Sequence, residues 1–113
     1  MSDYLWIQFS RPRPSWYQLT DDEREHVYAA LREVDSSVGN VDGVKLGQWS
    51  VRGQHRFSTA TVWEFTSAEA IENYWSSQLA IRIPDYFEIE NTLGSPITPR
   101  SISVPSITNW PQQ

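Results

Sequence analysis

The chain has 113 residues, a formal net charge of −5 at pH 7 and no cysteine. That length supports one hydrophobic core, and the lack of cysteine excludes disulfides, Cys-based zinc sites and a thiol nucleophile. The acidic balance repels a phosphate backbone on average, so nucleic acid is not an expected partner.

No apolar run approaches the roughly 20 residues of a membrane span, so no membrane partner is expected. Met1-Ser2-Asp3-Tyr4 shows no basic patch leading into an apolar stretch; the expectation is a cytoplasmic protein. Six Trp, five Tyr and four Phe exceed what so small a core needs. Some of these rings are therefore expected on a ligand surface or a subunit interface. Lys45 is the only lysine, placed on a solvated edge strand.

Asp3 to Phe9 alternates as a strand. Its pattern sets Leu5, Ile7 and Phe9 on one face and Tyr4, Trp6 and Gln8 on the other. Pro12 and Pro14 then stop the strand and stiffen an extended loop. Thr20-Asp21-Asp22-Glu23 is a capping box, and Val27, Leu31, Val34 and Val38 follow at helical spacing until Gly39-Asn40 ends the helix. Val44 to Val51 is a second strand with a bulge expected near Gly47. Gly53-Gln54-His55 is a hairpin turn signal, and Arg56 to Phe65 is a third strand.

Thr66-Ser67-Ala68-Glu69 reads as a second capping box. It opens a helix to about Ala80 with Ala68, Ile71, Trp75 and Leu79 inward. Pro84 breaks the chain, and Asp85 to Asn91 forms a fourth strand. Residues 94–113, with four prolines, read as an extended C-terminal arm on the domain or on a partner subunit, leaving 1–93 as the folded unit.

The order β-α-β-β-α-β is the split βαβ pattern of ferredoxin-like α+β folds: a four-stranded antiparallel sheet with two helices on one face. Leu5, Ile7, Phe9, Ala60, Val62, Phe87 and Ile89 are assigned to the helix face. Tyr4, Trp6, Phe57, Trp63, Phe65 and Tyr86 then form an open aromatic patch too large to leave uncovered, which a second copy would bury across a two-fold axis.

On this topology, and on the segments Arg11-Pro12-Arg13-Pro14-Ser15-Trp16, Val62-Trp63-Glu64-Phe65 and Asp85-Tyr86-Phe87-Glu88, the chain resembles the dimeric α+β barrel superfamily. That group includes antibiotic-biosynthesis monooxygenases, muconolactone isomerases and polyketide cyclases, and the segments look like those of its small bacterial members. The resemblance implies a homodimer, a pocket between sheet and helices, and chemistry that in many members needs no cofactor. It hands over no catalytic residue. The haem-degrading branch uses an axial His, and neither His here sits in a matching context.

With strands one and three taken as parallel neighbours, Arg11, Arg13, Trp16, Lys45, Trp63, Glu64, Asp85 and Tyr86 gather at one end of the sheet. Tyr4, His55, Arg56 and Glu90 gather at the other. In the first cluster Arg11 and Arg13 would orient a carboxylate, enolate or phenolate. Asp85 or Glu88 would serve as base, and Tyr86 would donate to an oxyanion. Trp6, Trp16, Trp49 and Trp63 would wall the substrate, with Gln8 and Glu88 also lining it. His26 and His55 are the remaining acid–base candidates.

The plainer alternatives are an Arg11–Asp85 pair that locks the loop, Trp rings that form dimer core, and histidines that are a helix boundary and a turn. No metal ligand set, phosphate loop, nucleotide fingerprint or nucleophile elbow is present. The reading is a cofactor-independent isomerase, cyclase or monooxygenase acting on an aromatic or polyketide-like metabolite. A non-catalytic small-molecule-binding dimer and a pure interaction module are the alternatives.

Overall fold

The computed structural model describes residues 4–52 and 56–96. Strand β1 spans Tyr4–Pro12, the short helix α1 Pro14–Tyr17 and helix α2 Asp21–Val34. A π-helical turn at Asp35–Gly39 and a short α3 at Asn40–Asp42 lead into β2, Gly43–Ser50. Then come β3 at Thr59–Phe65, α4 at Ala68–Ala80, a 3₁₀ turn at Ile83–Asp85 and β4 at Phe87–Gly94. The sheet order is β2-β3-β1-β4 and every pairing is antiparallel. This is the ferredoxin-like α+β arrangement, with the long helices on one face. The Gly53–His55 turn and residues 97–113 of the expected arm lie outside the described residues.

Local chemistry sets the helix starts. Thr20 accepts from the Glu23 amide at 3.1 Å while Glu23 accepts from the Thr20 amide at 2.8 Å, so two amides of the first turn are satisfied at once. These bonds hold the Glu23 carboxyl below its ordinary pKa. Helix α4 is capped one residue later than its sequence suggests. Ser67, not Thr66, accepts from the Ala70 amide, and Thr66 donates to the Asp42 carbonyl instead. The inward stripe is Ala70, Ile71, Tyr74 and Gln78, with Trp75 partly buried and Ala68 and Leu79 exposed.

The faces of the sheet are reversed from the sequence expectation. Trp6, Trp63 and Phe65 lie under the helices with Val34, Ala70, Ile71 and Tyr74. Leu5, Ile7, Phe9, Ala60 and Val62, which alternate with them, occupy the open side, whereas Phe87 and Ile89 do face the helices. Both sets are apolar, so a period of two could not say which is covered. Size decides: Trp63 stacks on Phe65 at 5.4 Å, Trp6 meets Tyr74 edge-on at 5.4 Å, and Trp63 lies 4.9 Å from Tyr74. Such pairs contribute about 0.5–1.5 kcal/mol each beyond burial. On the open side Phe57 stacks on Phe9 at 6.1 Å, and Trp49 is 52% exposed.

Gly39 does not end a helix; the helical path continues to Asp42. Its role is close approach. A Cβ there would stand 2.6 Å from the Trp63 ring, and one at Gly43 would stand 2.5 Å from the Phe65 ring. The expected bulge in β2 is present between Lys45 and Gly47.

Gly39→Ala is expected to destabilise the chain by about 1–3 kcal/mol through overpacking. Gly94→Ala, whose Cβ would meet Leu5 at an ordinary 3.7 Å, is expected to change little. Urea unfolding of both variants tests this; equal midpoints would show that the ring layer tolerates the extra methyl.

Candidate functional site

Along the helix-facing side of the sheet the residues change character halfway. The first two rungs are Tyr4 with Phe65 and Trp6 with Trp63; the next two are Gln8 with Thr61 and Gln48, then Ser10 with Thr59. Over these polar rungs the helices stand off, leaving a cavity of about 230 Å³. Its floor is Gln8, Ser10, Thr59, Thr61 and Gln48. Gln78 closes the aromatic end, and Pro12, Trp16, Tyr28, Leu31, Ile83, Phe87 and Ile89 supply apolar walls. Among the described residues, no Asp, Glu, His, Lys or Arg lines it.

The wall is braced from outside. Ser15 Oγ donates to the Asp85 carbonyl at 2.6 Å and the Arg13 amide to the Tyr86 carbonyl at 2.8 Å. These bonds hold α1 so that Trp16 packs 4.8 Å from Phe87 and edge-on to Tyr28 at 5.1 Å.

Gln78, 2% exposed, forms a reciprocal amide pair with Gln8. Gln8 Nε2 donates to Gln78 Oε1 at 2.7 Å, and Gln78 Nε2 donates to Gln8 Oε1 at 3.2 Å. Gln78 Nε2 also donates to the Tyr74 hydroxyl at 3.2 Å. Tyr74 in turn donates to Asp35 Oδ1, and Asp35 Oδ2 lies 3.8 Å from Lys45 Nζ. A line of polar contacts thus runs from the cavity through the aromatic layer to the surface. Burial, and then the Asp35 carboxylate, push the Tyr74 hydroxyl pKa far above its ordinary value.

Of the residues singled out from sequence, Gln8 and Trp16 line the cavity. Trp6 and Trp63 do not; their rings are closed into the core at 3% and 1% exposure. Trp49 lies on the open face. The remaining residues do not form the expected cluster, because β1 and β3 run antiparallel and not parallel. Lys45, Trp63 and Glu64 therefore lie toward the other end of the sheet from Arg11, while Arg56 joins the Arg11 end.

There Glu88 bridges Arg11, at 2.7 Å, and Arg56; the Arg11 bond holds the Glu88 carboxyl below its ordinary pKa. Arg11 also donates to the Arg56 carbonyl at 3.1 Å, and Arg56 lies 4.9 Å over the Phe57 ring. Arg13 donates to the Pro84 carbonyl at 2.9 Å. Asp85 pairs with Arg82 at 2.6 Å, not with Arg11, and Tyr86 packs against Trp16 at 6.2 Å. His26 is exposed on α2 beside Asp22, Glu25 and Ala29. His55 lies outside the described residues.

No family model matches the chain, and no curated protein matches it. Solved structures do. A doubly substituted chlorite dismutase from Candidatus Nitrospira defluvii superposes with a TM-score of 0.67 at 12% identity, over 83% of this chain and 40% of that one. A singly substituted form gives 0.73 at 11% identity, over 96% and 48%. A third, in complex with cyanide, gives 0.65 at 10% identity, over 84% and 41%. The chain spans less than half the length of each. The likeness shows the fold.

These comparisons correct the cofactor-independent isomerase, cyclase or monooxygenase reading, because the neighbours sharing the fold are chlorite dismutase-like, haem-binding proteins. The residues of this cavity do not fit a haem either. Among the described residues no His lines it to ligate iron and no Arg or Lys lines it to meet propionates, and its volume falls below the roughly 300–1,000 Å³ of drug-sized pockets. Among the described residues, no group of three His, Cys, Asp or Glu is placed to hold a metal ion.

Tyr74 gives a pH prediction. Its folded pKa is raised, so its contribution to stability is complete below the ordinary tyrosine pKa of about 10 and declines as pH rises past it. Between pH 9 and about 11 the wild type is expected to lose stability faster than Tyr74→Phe in urea unfolding. Parallel slopes would show that Tyr74 ionises freely in the folded chain.

Proposed function

We propose that the chain is a binding module for a small uncharged molecule, held between the sheet and helices α2 and α4. The observation that carries this is the cavity lining: hydroxyl and amide groups on the floor, rings and aliphatic groups on the walls, and no charged side chain among the described residues. General acid–base catalysis needs a titratable group within reach of the substrate. Among the described residues, Tyr28 is the one such group on the wall. Retention of a ligand is therefore the better-supported role, and fold likeness to chlorite dismutases does not carry their chemistry over.

The module acts as a homodimer in this reading. Leu5, Val44, Leu46 and Trp49 are exposed hydrophobics, and Leu5, Val44 and Trp49 share the side that the helices leave bare. A two-fold copy would cover them with the same patch.

Native mass spectrometry of gently purified protein is expected to show a dimer carrying a small adduct. Leu31→Trp, which fills the cavity, is expected to lose the adduct and keep the dimer. An adduct retained by Leu31→Trp would put the ligand elsewhere. Trp49→Glu is expected to give monomers by light scattering at micromolar concentration; an intact dimer would remove the open face as the interface.

A further inference from the structure

The cavity also specifies which uncharged groups it accepts, an inference that rests on the binding role above. Gln8 and Gln78 have spent their amide hydrogens. Gln8 Nε2 donates to Gln78 at 2.7 Å and to Asn91 Oδ1 at 3.1 Å, and Gln78 Nε2 donates to Gln8 and to Tyr74, both at 3.2 Å. The side-chain amides are left with carbonyl lone pairs to offer. Facing Gln8 across the same rung is Thr61, and Thr59 stands one rung on. The hydroxyls of both threonines have no hydrogen-bond partner among the described residues.

The floor therefore places fixed acceptors next to free hydroxyls that can donate. A ligand edge that matches it carries a donor and an acceptor side by side without net charge. A carboxylate would bring its charge against the glutamine carbonyls with no cation among the described lining residues to meet it, and an amidinium would find no carboxylate among them. Above this edge Trp16, Leu31 and Phe87 form an apolar wall, which suits a flat hydrocarbon body.

We propose that the cavity selects ligands presenting a carboxamide or lactam edge on an apolar ring. The ligand N–H would face the Gln8–Gln78 pair, and its carbonyl would face the Thr61 and Thr59 hydroxyls. The Tyr74–Asp35 contact helps hold this arrangement, because it fixes the hydroxyl toward which Gln78 is turned.

Four probes of one shape separate the possibilities: benzamide, toluene, benzoate and benzamidinium, each titrated into the ¹⁵N-labelled full chain while the side-chain amide signals of Gln8 and Gln78 are followed. Benzamide is expected to bind at least about fivefold more tightly than each of the others, as one or two net hydrogen bonds provide. Thr61→Val is expected to erase its advantage over toluene and leave toluene binding in place. Toluene, benzoate or benzamidinium binding as well as benzamide would overturn the ligand class and leave the binding cavity standing. No shift with any of the four would overturn the cavity as a binding site, and this inference with it. The wild-type titrations decide the matter even if Thr61→Val fails to fold.

Discussion

The structure depends on the stacking of Trp63 on Phe65 against a backbone that must come within contact distance of both rings. Only glycine allows that approach, at Gly39 and Gly43. To bring Gly39 over the indole, the path after α2 widens into a π-helical turn, which also carries Asp35 to the Tyr74 hydroxyl. Tyr74 then receives the Gln78 amide, one helical turn along α4. The aromatic layer thus sets the position of the amide pair, and the amide pair closes the end of the cavity. An unsatisfied amide or hydroxyl at this depth would cost about 1–3 kcal/mol, and among the described residues no buried side-chain N or O is left without a partner.

The cavity begins where the rings stop. Two rungs of aromatic side chains seal one half of the helix–sheet interface, and two rungs of smaller polar side chains cannot fill the other half. The void results from side-chain volume along two strands and requires no separate structural device. Proteins of this fold can accordingly move, enlarge or remove a pocket by changing a few alternate positions on β1 and β3. The chlorite dismutases that share the fold at 10–12% identity need not share the pocket's chemistry.

Much of the architecture was legible in the sequence. The reciprocal Thr20–Glu23 cap, the element order, the bulge at Gly47 and the inward Phe87 and Ile89 all follow from local patterns that tertiary contacts do not override. The facing of β1 and β3 was not legible, because Leu5-Ile7-Phe9 and Tyr4-Trp6 are both hydrophobic. The stripe of α4 departs from its sequence pattern for a related reason. Leu79 looks like core and Gln78 like surface, yet the buried position is taken by the residue whose amide has partners. A parallel β1 and β3 would gather Arg11 with Lys45 and Glu64; in the antiparallel pair Arg56 and Glu88 stand beside it. The sequence carries one signal of the cavity: Gln8 and Ser10 continue the face of Trp6, and Thr59 and Thr61 precede Trp63 on the matching face.

With hydrophobic residues on both of its sides, β1 has little protection of its own against pairing one residue out of frame. In most half-buried sheets a slip exposes the apolar set and is rejected at once. Here a slip that exchanges Trp6 for Ile7 leaves β1 apolar toward the helices, whereas on β3 exchanging Trp63 for Val62 also puts Glu64 where Phe65 is fully buried. The wrong frame is rejected by the Glu64 charge it would carry into the core and by shape, since Gly39 and Gly43 must meet flat rings. Part of the information that selects the native pairing therefore resides in two hydrogen atoms standing where side chains would otherwise be. Sequence drift should be freer among the many apolar residues of this sheet than at those two glycines.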